Sequence, residues 1–192
     1  MTSSGSDGSA ETAVVKRGRL IGKGWIQGVA LVMLFGFTVM GLLAYRTYTD
    51  SMPQPDRVVT SSGETLFTTE DITAGQRLFQ ARGLMEYGSI LGHGGYLGQD
   101  FTAEYLRLEA TSVGDQLAAE GVADPATATR DMLRTNRYDP STGVLTWTDE
   151  QVTAYNEAVA HYTRLFGPEA HDHGLKPDLI TDPTEVRQVT AF

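Results

Sequence analysis

The sequence contains no cysteine in its 192 residues. A disulfide framework, cysteine-ligated zinc or iron–sulfur clusters, a cysteine nucleophile and a thioether-attached haem are therefore excluded. The lack of disulfides does not decide the compartment, because many exported domains have none. Positive charge is also scarce, since 15 Lys and Arg stand against 24 Asp and Glu. This acidic balance argues against a nucleic-acid partner, because phosphate binding requires clustered Lys and Arg.

Residues 24–45 lack charge altogether. The 21 residues from Trp25 to Tyr45 are mostly apolar, and the aromatic residues at their two ends are of the kind that favours a membrane interface. A helix that crosses the ~30 Å hydrocarbon core needs about 20 such residues. A cleaved signal peptide would have a shorter apolar run and a small-residue cleavage site, and a buried soluble helix is rarely this long without a charge. We therefore predict a transmembrane helix at residues 24–46.

The charges that flank this helix predict its orientation. Four basic residues precede it within residues 1–23, and Arg46 is the one basic residue just after it. By the positive-inside rule the N-terminus lies in the cytoplasm. Residues 1–23, whose first fifteen positions are rich in Ser, Gly, Thr and Ala, are expected to be a disordered cytoplasmic tail. Residues 47–192 are then extracytoplasmic, and the chain is a single-pass protein of the cell membrane.

The remainder of the sequence predicts a mainly α-helical fold with a small β-hairpin. Residues 47–67 are expected to form a linker and a short hairpin that turns at Gly63. A second hairpin is predicted at residues 137–147. Capping residues and apolar spacing predict helices from Thr68 to about Ala81, from Thr102 to about Glu120, from Asp124 to about Asn136, from Thr148 to Phe166, and from Asp182 onward.

Two glycine patterns predict close packing. Gly75 lies one turn before Phe79 on the same helix face, so another helix can approach there, although a tolerated mid-helix glycine costs only ~1 kcal/mol. Residues 83–100 hold six glycines among 18 residues and many apolar side chains. A flexible linker would be polar, so this segment is expected to be an ordered loop rather than a helix or strand. Its glycines predict positive φ or close approach to a ligand, an ion or another part of the protein.

No residue pattern predicts catalysis in this chain. The sequence has no nucleophile elbow, phosphate-binding loop or His-Glu-x-x-His sequence, and its carboxylates single out no acid–base pair. His161 lies on the predicted helix next to Tyr162 of its apolar face, and is expected to be a residue at the boundary of that face rather than a ligand. His171 and His173 are two residues apart in a polar segment, which is a weak metal-binding pattern.

Long stretches of the sequence resemble the N-terminal outer region of single-chain, quinol-dependent nitric oxide reductases. The resemblance lies in Gly75-Gln-Arg-Leu-Phe79, in the segment from Gly83 to Leu106 that contains Gly92-His-Gly-Gly-Tyr96, and in the ending Asp182-Pro-Thr-Glu-Val-Arg-Gln-Val-Thr-Ala-Phe192. It implies a cytochrome c-like domain that has lost its haem, at residues 68–180. It also implies that residues 181–192 lead toward a second membrane helix.

The resemblance also implies where the haem would have been attached. Leu84 and Tyr87 stand where haem-binding relatives have cysteines, and Gly88 stands where they have the axial histidine. Leu84, Met85 and Tyr87 are then expected to help fill the vacated volume, because an empty apolar cavity is costly. Gly75 and Phe79 would form the crossing with the helix that carries Tyr155, Val159 and Tyr162.

A calcium site is a further implication of the resemblance. In the two-subunit relatives a calcium ion lies between the small subunit and the catalytic membrane portion, and the matching oxygens here belong to Gly94 and Tyr96. Calcium takes six to eight oxygens, so the catalytic portion would have to supply the others. Alternatively, residues 94–98 pack against that portion without an ion. The haem b and non-haem iron of the family are expected only in the catalytic portion, and this chain itself holds no cofactor.

The predicted function is the N-terminal membrane-anchoring and outer-face domain of a nitric oxide reductase. The family reduces two NO to N2O and water with two electrons and two protons, and the electrons come from quinol. The expected partners are the lipid bilayer and the multi-helix catalytic portion. The alternative is a stand-alone membrane-tethered interaction module without enzymatic role. A third hypothesis, an electron-carrying cytochrome, predicts a Soret band that we expect to be absent.

Overall fold

The computed structural model describes residues 22–49, 54–95 and 98–192. Most of the predicted N-terminal tail, residues 1–21, lies outside this description, as do residues 50–53 and 96–97. Two compact units divide the chain near residue 52, and we describe each by itself. The mainly helical fold predicted from the sequence is confirmed, with one N-terminal apolar helix and small strands.

The N-terminal unit is a single helix, α1 (Lys23–Thr49), which extends the predicted apolar helix by a few residues at its C-terminal end. Its 27 residues give a length of about 40 Å. None of its side chains is buried within the unit, and its composition is apolar enough to cross a membrane. Thr38 and Thr47 donate their hydroxyl hydrogens to carbonyl oxygens one turn earlier, which satisfies these polar groups inside the helix.

The second unit contains five further α-helices among the described residues, all close to their predicted bounds. Local side-chain hydrogen bonds define their starts. Thr68 and Thr148 form capping boxes with Asp71 and Gln151, and Pro stands in the first turn of two other helices. The helices are α2 (Thr69–Ala81), α3 (Phe101–Ala119), α4 (Pro125–Arg134), α5 (Asp149–Phe166) and α6 (Pro183–Ala191).

The two predicted hairpins are present but belong to one four-stranded sheet. Strands β1 (Arg57–Val59) and β2 (Thr65–Thr68) form the first hairpin, and Gly63 in its turn has φ 87°. Strands β5 (Tyr138–Asp139) and β6 (Val144–Thr146) form the second. Parallel pairing of β1 with β6 joins them in the order β2-β1-β6-β5. The sequence did not predict this pairing, because the two strands are far apart along the chain.

The glycine-rich loop of residues 83–100 also has some regular structure, contrary to the prediction that it would have none. A 3₁₀ helix (Leu84–Glu86) is followed by two short strands, β3 (Ser89–Ile90) and β4 (His93–Gly94), that pair antiparallel. A second 3₁₀ helix (Ala170–His173) follows α5, between the last two predicted helices. Leu175, Leu179 and Ile180 in that segment are buried and belong to the core.

Gly75 is at a close helix crossing, but its partner differs from the predicted one. A Cβ atom at Gly75 would overlap the carbonyl oxygen of Gln188 in α6. The ring of Phe79 contacts that of Phe192 just after α6, with ring centroids 5.8 Å apart. The expected crossing with the helix of Tyr155, Val159 and Tyr162 is therefore wrong, and α6 takes that place. Tyr155 contacts α6 instead through a hydrogen bond from its hydroxyl to the Arg187 carbonyl, at 3.0 Å.

The main core lies between α2, α3, α5, α6 and the segment after α5. The predicted apolar face of α5 is largely confirmed, since Tyr155, Tyr162 and Phe166 are buried. The spacing of Leu106, Val113 and Leu117 indicates one apolar face of α3, but Leu106 is 53% exposed. The buried members of the main cluster are Phe79, Leu84, Phe101, Ala158, Tyr162, Leu165, Phe166, Ala170, Leu175, Leu179, Ile180 and Val186.

Candidate functional site

The glycine-rich loop folds back over its own first turn. A Cβ atom at Gly94 would overlap the Gly88 carbonyl oxygen, and one at Gly98 would overlap the Tyr87 carbonyl oxygen. At Gly95 a Cβ atom would lie 2.9 Å from the Glu86 carbonyl oxygen, which is also too close. The close approach predicted from the glycine density is therefore at least partly an approach to the protein's own backbone.

The tip of the loop is a tight two-residue turn. Leu91 and Gly92 connect β3 to β4 with φ 51° and 76°, the positive values that a type I′ turn requires. A leucine rarely adopts this conformation, which costs about 1–2 kcal/mol. The backbone N–H of Leu91 donates to Thr102 Oγ1 at 3.1 Å, and His93 Nδ1 lies 3.0 Å from the Leu91 carbonyl oxygen. Thr102, which was predicted to cap α3, thus holds the loop tip instead.

Asp100 joins the loop to α3 and is the actual N-cap of that helix. Its Oδ1 accepts from the Ala103 N–H at 2.9 Å. Its Oδ2 accepts from the Ser89 hydroxyl and from the Gly92 N–H, both at 2.7 Å. The Ser89 hydrogen bond and those backbone donors lower the pKa of the Asp100 carboxyl. Asp100 therefore connects β3, the loop tip and the start of α3, and both of its carboxylate oxygens already accept hydrogen bonds from protein groups.

The position that matches the axial histidine of haem-binding relatives has no room for a side chain. A Cβ atom at Gly88 would overlap the Gln99 carbonyl oxygen and would lie 2.7 Å from the ring of Phe101. Leu84, at one of the matching cysteine positions, is fully buried, and Tyr87, at the other, is half-buried against the core. Met85 is 45% exposed, so it contributes less to the core than expected.

Beside Phe101 lies an apolar pocket of about 200 Å³. Its walls come from α2, α3, α5, α6, the sheet and β3, and none of the described residues that line it is charged. The lining residues are Phe67, Phe79, Ile90, Phe101, Thr102, Tyr105, Leu106, Trp147, Tyr162, Phe166, Val189, Thr190, Ala191 and Phe192. A cytochrome c-type haem site would need attachment cysteines and an axial histidine, and the residues that line this pocket include neither.

The family model for the NorB cytochrome c-like domain of nitric oxide reductase matches residues 55–192. The chain belongs to this family. The match covers the whole second unit apart from its first residues, including the glycine-rich loop, the pocket and α6. A search of curated proteins found no match. The family assigns this chain to a nitric oxide reductase, as one part of a larger complex.

Of the two residues predicted to bind calcium in this nitric oxide reductase domain, the structure describes Gly94 only. Gly94 lies in β4 with φ 142°, a value that favours glycine. Tyr96 lies outside the described residues. Within the part of the chain that the structure describes, no group of three or more His, Cys, Asp or Glu residues could hold a metal ion. Calcium at Gly94 would therefore depend on further oxygens from the catalytic portion, as the sequence resemblance implied.

The histidines outside the loop do not form a metal site in the described structure. His161 Nε2 lies 3.1 Å from Glu104 Oε1, and the His161 side chain is 23% exposed, as expected for a residue at the edge of the apolar face of α5. The side chains of His171 and Asp172 are 88% and 83% exposed and lie 3.8 Å apart at their closest polar atoms. The weak metal-binding pattern at residues 171–173 thus gains no support.

Sequence reasoning missed several polar groups that α3 places in the interior. Glu109 is buried and accepts a hydrogen bond from Gln151 Nε2 at 3.0 Å. Burial raises the pKa of the Glu109 carboxyl, and the hydrogen bond only partly offsets this. The Tyr105 hydroxyl is buried and has no hydrogen-bond partner among the described residues. Burial, and to a smaller extent the nearby Glu109 carboxylate, raises the pKa of the Tyr105 hydroxyl well above its usual value. Both residues lie on a helix face that the apolar spacing did not single out.

Proposed function

We propose that this chain is the N-terminal membrane-anchoring and outer-face domain of a quinol-dependent nitric oxide reductase. In this role it contributes no redox group of its own to the reduction of two NO to N2O. The observation that carries the proposal is the packing at Gly88, where the Gln99 backbone and the Phe101 ring leave no space for an axial ligand. The complete lack of cysteine supports the same conclusion.

A domain without haem cannot relay an electron from a soluble cytochrome. This supports electron entry through the membrane portion of the reductase, where a lipid-soluble quinol is the class of donor that the resemblance implies. The packing of the Phe101 ring against Gly88 supports this inference, because Gly88 stands at the position that matches the axial histidine of haem-binding relatives. The haem b and non-haem iron of the reaction are assigned to the catalytic portion outside this chain.

The donor can be tested on the intact reductase in its membrane. We expect NO consumption and N2O formation when a reduced short-chain quinol is supplied, and less than about a tenth of that rate with reduced cytochrome c. A tag on this chain should co-purify a haem-containing membrane protein. Equal rates with the two donors would contradict the quinol assignment. Purification of the chain without any haem partner would favour the stand-alone interaction module.

The anchoring part of the proposal is that α1 crosses the bilayer once, with the second unit outside the cytoplasm. Support comes from the length of α1, its fully exposed apolar surface and the four basic residues that precede or begin it. A membrane span of this length would bury enough apolar surface to hold the chain in the bilayer.

Because these 192 residues contain no cysteine, a single introduced cysteine is the only thiol among them, and its labelling reports this orientation. We expect a membrane-impermeant maleimide to label Asp172→Cys in intact cells, since the Asp172 side chain is 83% exposed. The matched variant Ser4→Cys should be labelled only after the membrane is permeabilised. Labelling of Ser4→Cys in intact cells, with protection of Asp172→Cys, would reverse the proposed orientation.

We also propose that the Gly94 carbonyl and the Tyr96 hydroxyl are ligands of a calcium ion shared with the catalytic portion. The pairing of β3 with β4 fixes the backbone of Gly94, which supports it as a preorganised oxygen donor. Calcium is expected to raise the melting temperature of the intact reductase, and a chelator should remove that increase. Tyr96→Phe should raise the calcium concentration that gives half of this increase at least about tenfold, whereas Tyr138→Phe should leave that concentration unchanged. If calcium shifts both variants equally, Tyr96 is not a ligand.

A further inference from the structure

A second pocket of the second unit, which we call the polar groove, combines acidic and basic side chains. It lies between α3, the end of α4, β6 and the first turn of α5, and its volume is about 330 Å³. Sites for small molecules commonly have a volume of about 300–1,000 Å³. The charged side chains that line the groove are Glu109, Arg134 and Arg137, and Leu133, Leu145 and Trp147 add apolar surface.

The carboxylate of Glu109 is held in place at the wall of the groove. Gln151 Oε1 accepts from the Thr148 N–H at 3.4 Å, so its amide group is oriented with Nε2 toward α3. That Nε2 donates to Glu109 Oε1 at 3.0 Å. Glu109 is only 7% exposed, so packing and this hydrogen bond fix its position before any ligand binds.

The other oxygen of this carboxylate has no protein partner within the described part of the chain. Among those residues Glu109 forms one side-chain hydrogen bond, through Oε1, and no ion pair. The fully enclosed polar atoms that lack a described partner are Glu104 Oε2 and Tyr105 Oη, so Glu109 Oε2 remains accessible. Because Glu109 lines the polar groove, this oxygen is available to a ligand there. Burial raises the pKa of the Glu109 carboxyl, and a ligand cation beside it would stabilise the charged form.

The two arginines place the opposite charge in the same groove. Arg137 is half-buried, and its Nη1 donates to the Met132 carbonyl oxygen at 2.9 Å, which fixes the guanidinium at the end of α4. Its Nε and Nη2 make no hydrogen bond to a described residue, and neither arginine forms an ion pair within the described ranges. Two such adjacent N–H groups can bind one carboxylate through two parallel hydrogen bonds.

We propose that the polar groove binds a small zwitterion of the amino-acid class, with its ammonium group on Glu109 and its carboxylate on Arg137. A simple amine would be repelled by the two arginines, and a simple anion would be repelled by Glu109. A zwitterion satisfies both charges, and its alkyl part can pack on the apolar surface next to Trp147. The site depends neither on the electron donor nor on calcium.

The proposal is tested with γ-aminobutyrate, because its flexible chain lets the two charges adjust their separation. Butyrate lacks the ammonium group and propylamine lacks the carboxylate, so each removes one charge from a similar shape. Saturation-transfer NMR on the intact reductase in lipid nanodiscs gives the dissociation constants, with empty nanodiscs as the blank. We expect saturable binding of γ-aminobutyrate. Each single-charge ligand should bind at least about tenfold more weakly, as the loss of one charge-assisted hydrogen bond implies.

Two variants assign each ligand charge to its side chain. Glu109→Gln keeps an acceptor for Gln151 but removes the negative charge, so it should abolish the preference for γ-aminobutyrate over butyrate. Arg137→Gln should abolish the preference for γ-aminobutyrate over propylamine. A purely structural role would weaken all three ligands alike and leave both preferences intact. The matched controls Glu157→Gln and Arg130→Gln, at exposed residues of α5 and α4 that do not line the groove, should retain both preferences.

Absence of saturable γ-aminobutyrate binding to the native reductase would overturn the proposal. A preference over butyrate that persists in Glu109→Gln would also overturn it. Should Arg137→Gln fail to fold, Arg134→Gln takes its place, because Arg134 is exposed and makes no hydrogen bond from its side chain to a described residue. That variant is expected to reduce the preference over propylamine, and an unchanged preference would show that the ligand carboxylate does not lie at the arginines.

Discussion

Replacing Gly75 with alanine is expected to destabilise the second unit by about 3 kcal/mol, at the upper end for an overpacked site. The added Cβ atom would overlap the Gln188 carbonyl oxygen and would lie 3.0 Å from the Cβ atom of Phe192. The first of these atoms belongs to helix backbone and cannot rotate away. Helix α6 must therefore move off α2, and the contact between Phe79 and Phe192 would be lost.

Gly114→Ala is the matched control, because it also adds a methyl group in the middle of a helix. There the nearest atom to the new Cβ would be Thr129 Oγ1 at 3.4 Å, an ordinary contact distance. Helix propensity favours alanine by up to about 1 kcal/mol, so this variant should be neutral or more stable. Denaturant unfolding and hydrogen exchange in residues 183–191 measure the difference. Equal stability of the two variants would show that α6 does not pack on Gly75.

The same crossing shows what the sequence could and could not predict. The spacing of Gly75 and Phe79 describes one helix surface and correctly predicts that a helix approaches it closely. It carries no information about which helix does so. We expected α5, because the family resemblance implied a crossing with the helix that carries Tyr155, Val159 and Tyr162. The partner is α6, which has only nine residues and few apolar positions. Tertiary packing determines which of the two helices packs on Gly75, and no local sequence pattern indicates which one it is.

Helix starts were predicted well because their causes are local. The side chains of Thr68, Asp124, Thr148 and Asp182 accept backbone hydrogen bonds from residues two or three positions later. The exception is α3, where Thr102 was expected to be the cap and Asp100 takes that role. Both residue types suit a cap. The contact of Thr102 with Leu91 depends on the fold of the preceding loop, which the sequence did not predict.

Parts of the candidate site that depend on distant segments were not predicted. The glycine density correctly indicated close approach, but it left open whether a ligand, an ion or the protein itself comes close. In the structure, the backbone of residues 86–88 lies against Gly94, Gly95 and Gly98. The pocket was not predicted either, because its walls combine residues from Phe67 to Phe192. The buried Tyr105 hydroxyl, which has no hydrogen-bond partner among the described residues, has no local sequence signal either.

Phe101→Ala is expected to lower the free energy of unfolding of the second unit by about 3–5 kcal/mol, the range for a buried phenylalanine replaced by alanine. Phe101 is buried between three aromatic rings. Its ring centroid lies 5.6 Å from that of Phe79, 6.2 Å from that of Phe166 and 6.4 Å from that of Tyr162. The new cavity would join the existing pocket of about 200 Å³. Rigid aromatic neighbours cannot collapse into so large a space, so the loss should lie in the upper part of that range.

Leu106→Ala provides the control on the same helix, because Leu106 is 53% exposed although it also borders the pocket. Its loss should be within about 0.5 kcal/mol. Denaturant unfolding of both variants gives the free energies of unfolding, and similar m-values would show that the native states remain compact. A loss for Phe101→Ala no larger than that for Leu106→Ala would mean that this ring does not fill the core. The proposal that the Phe101 ring leaves no room for an axial ligand at position 88 would then fail, because it requires that ring to fill the space beside Gly88.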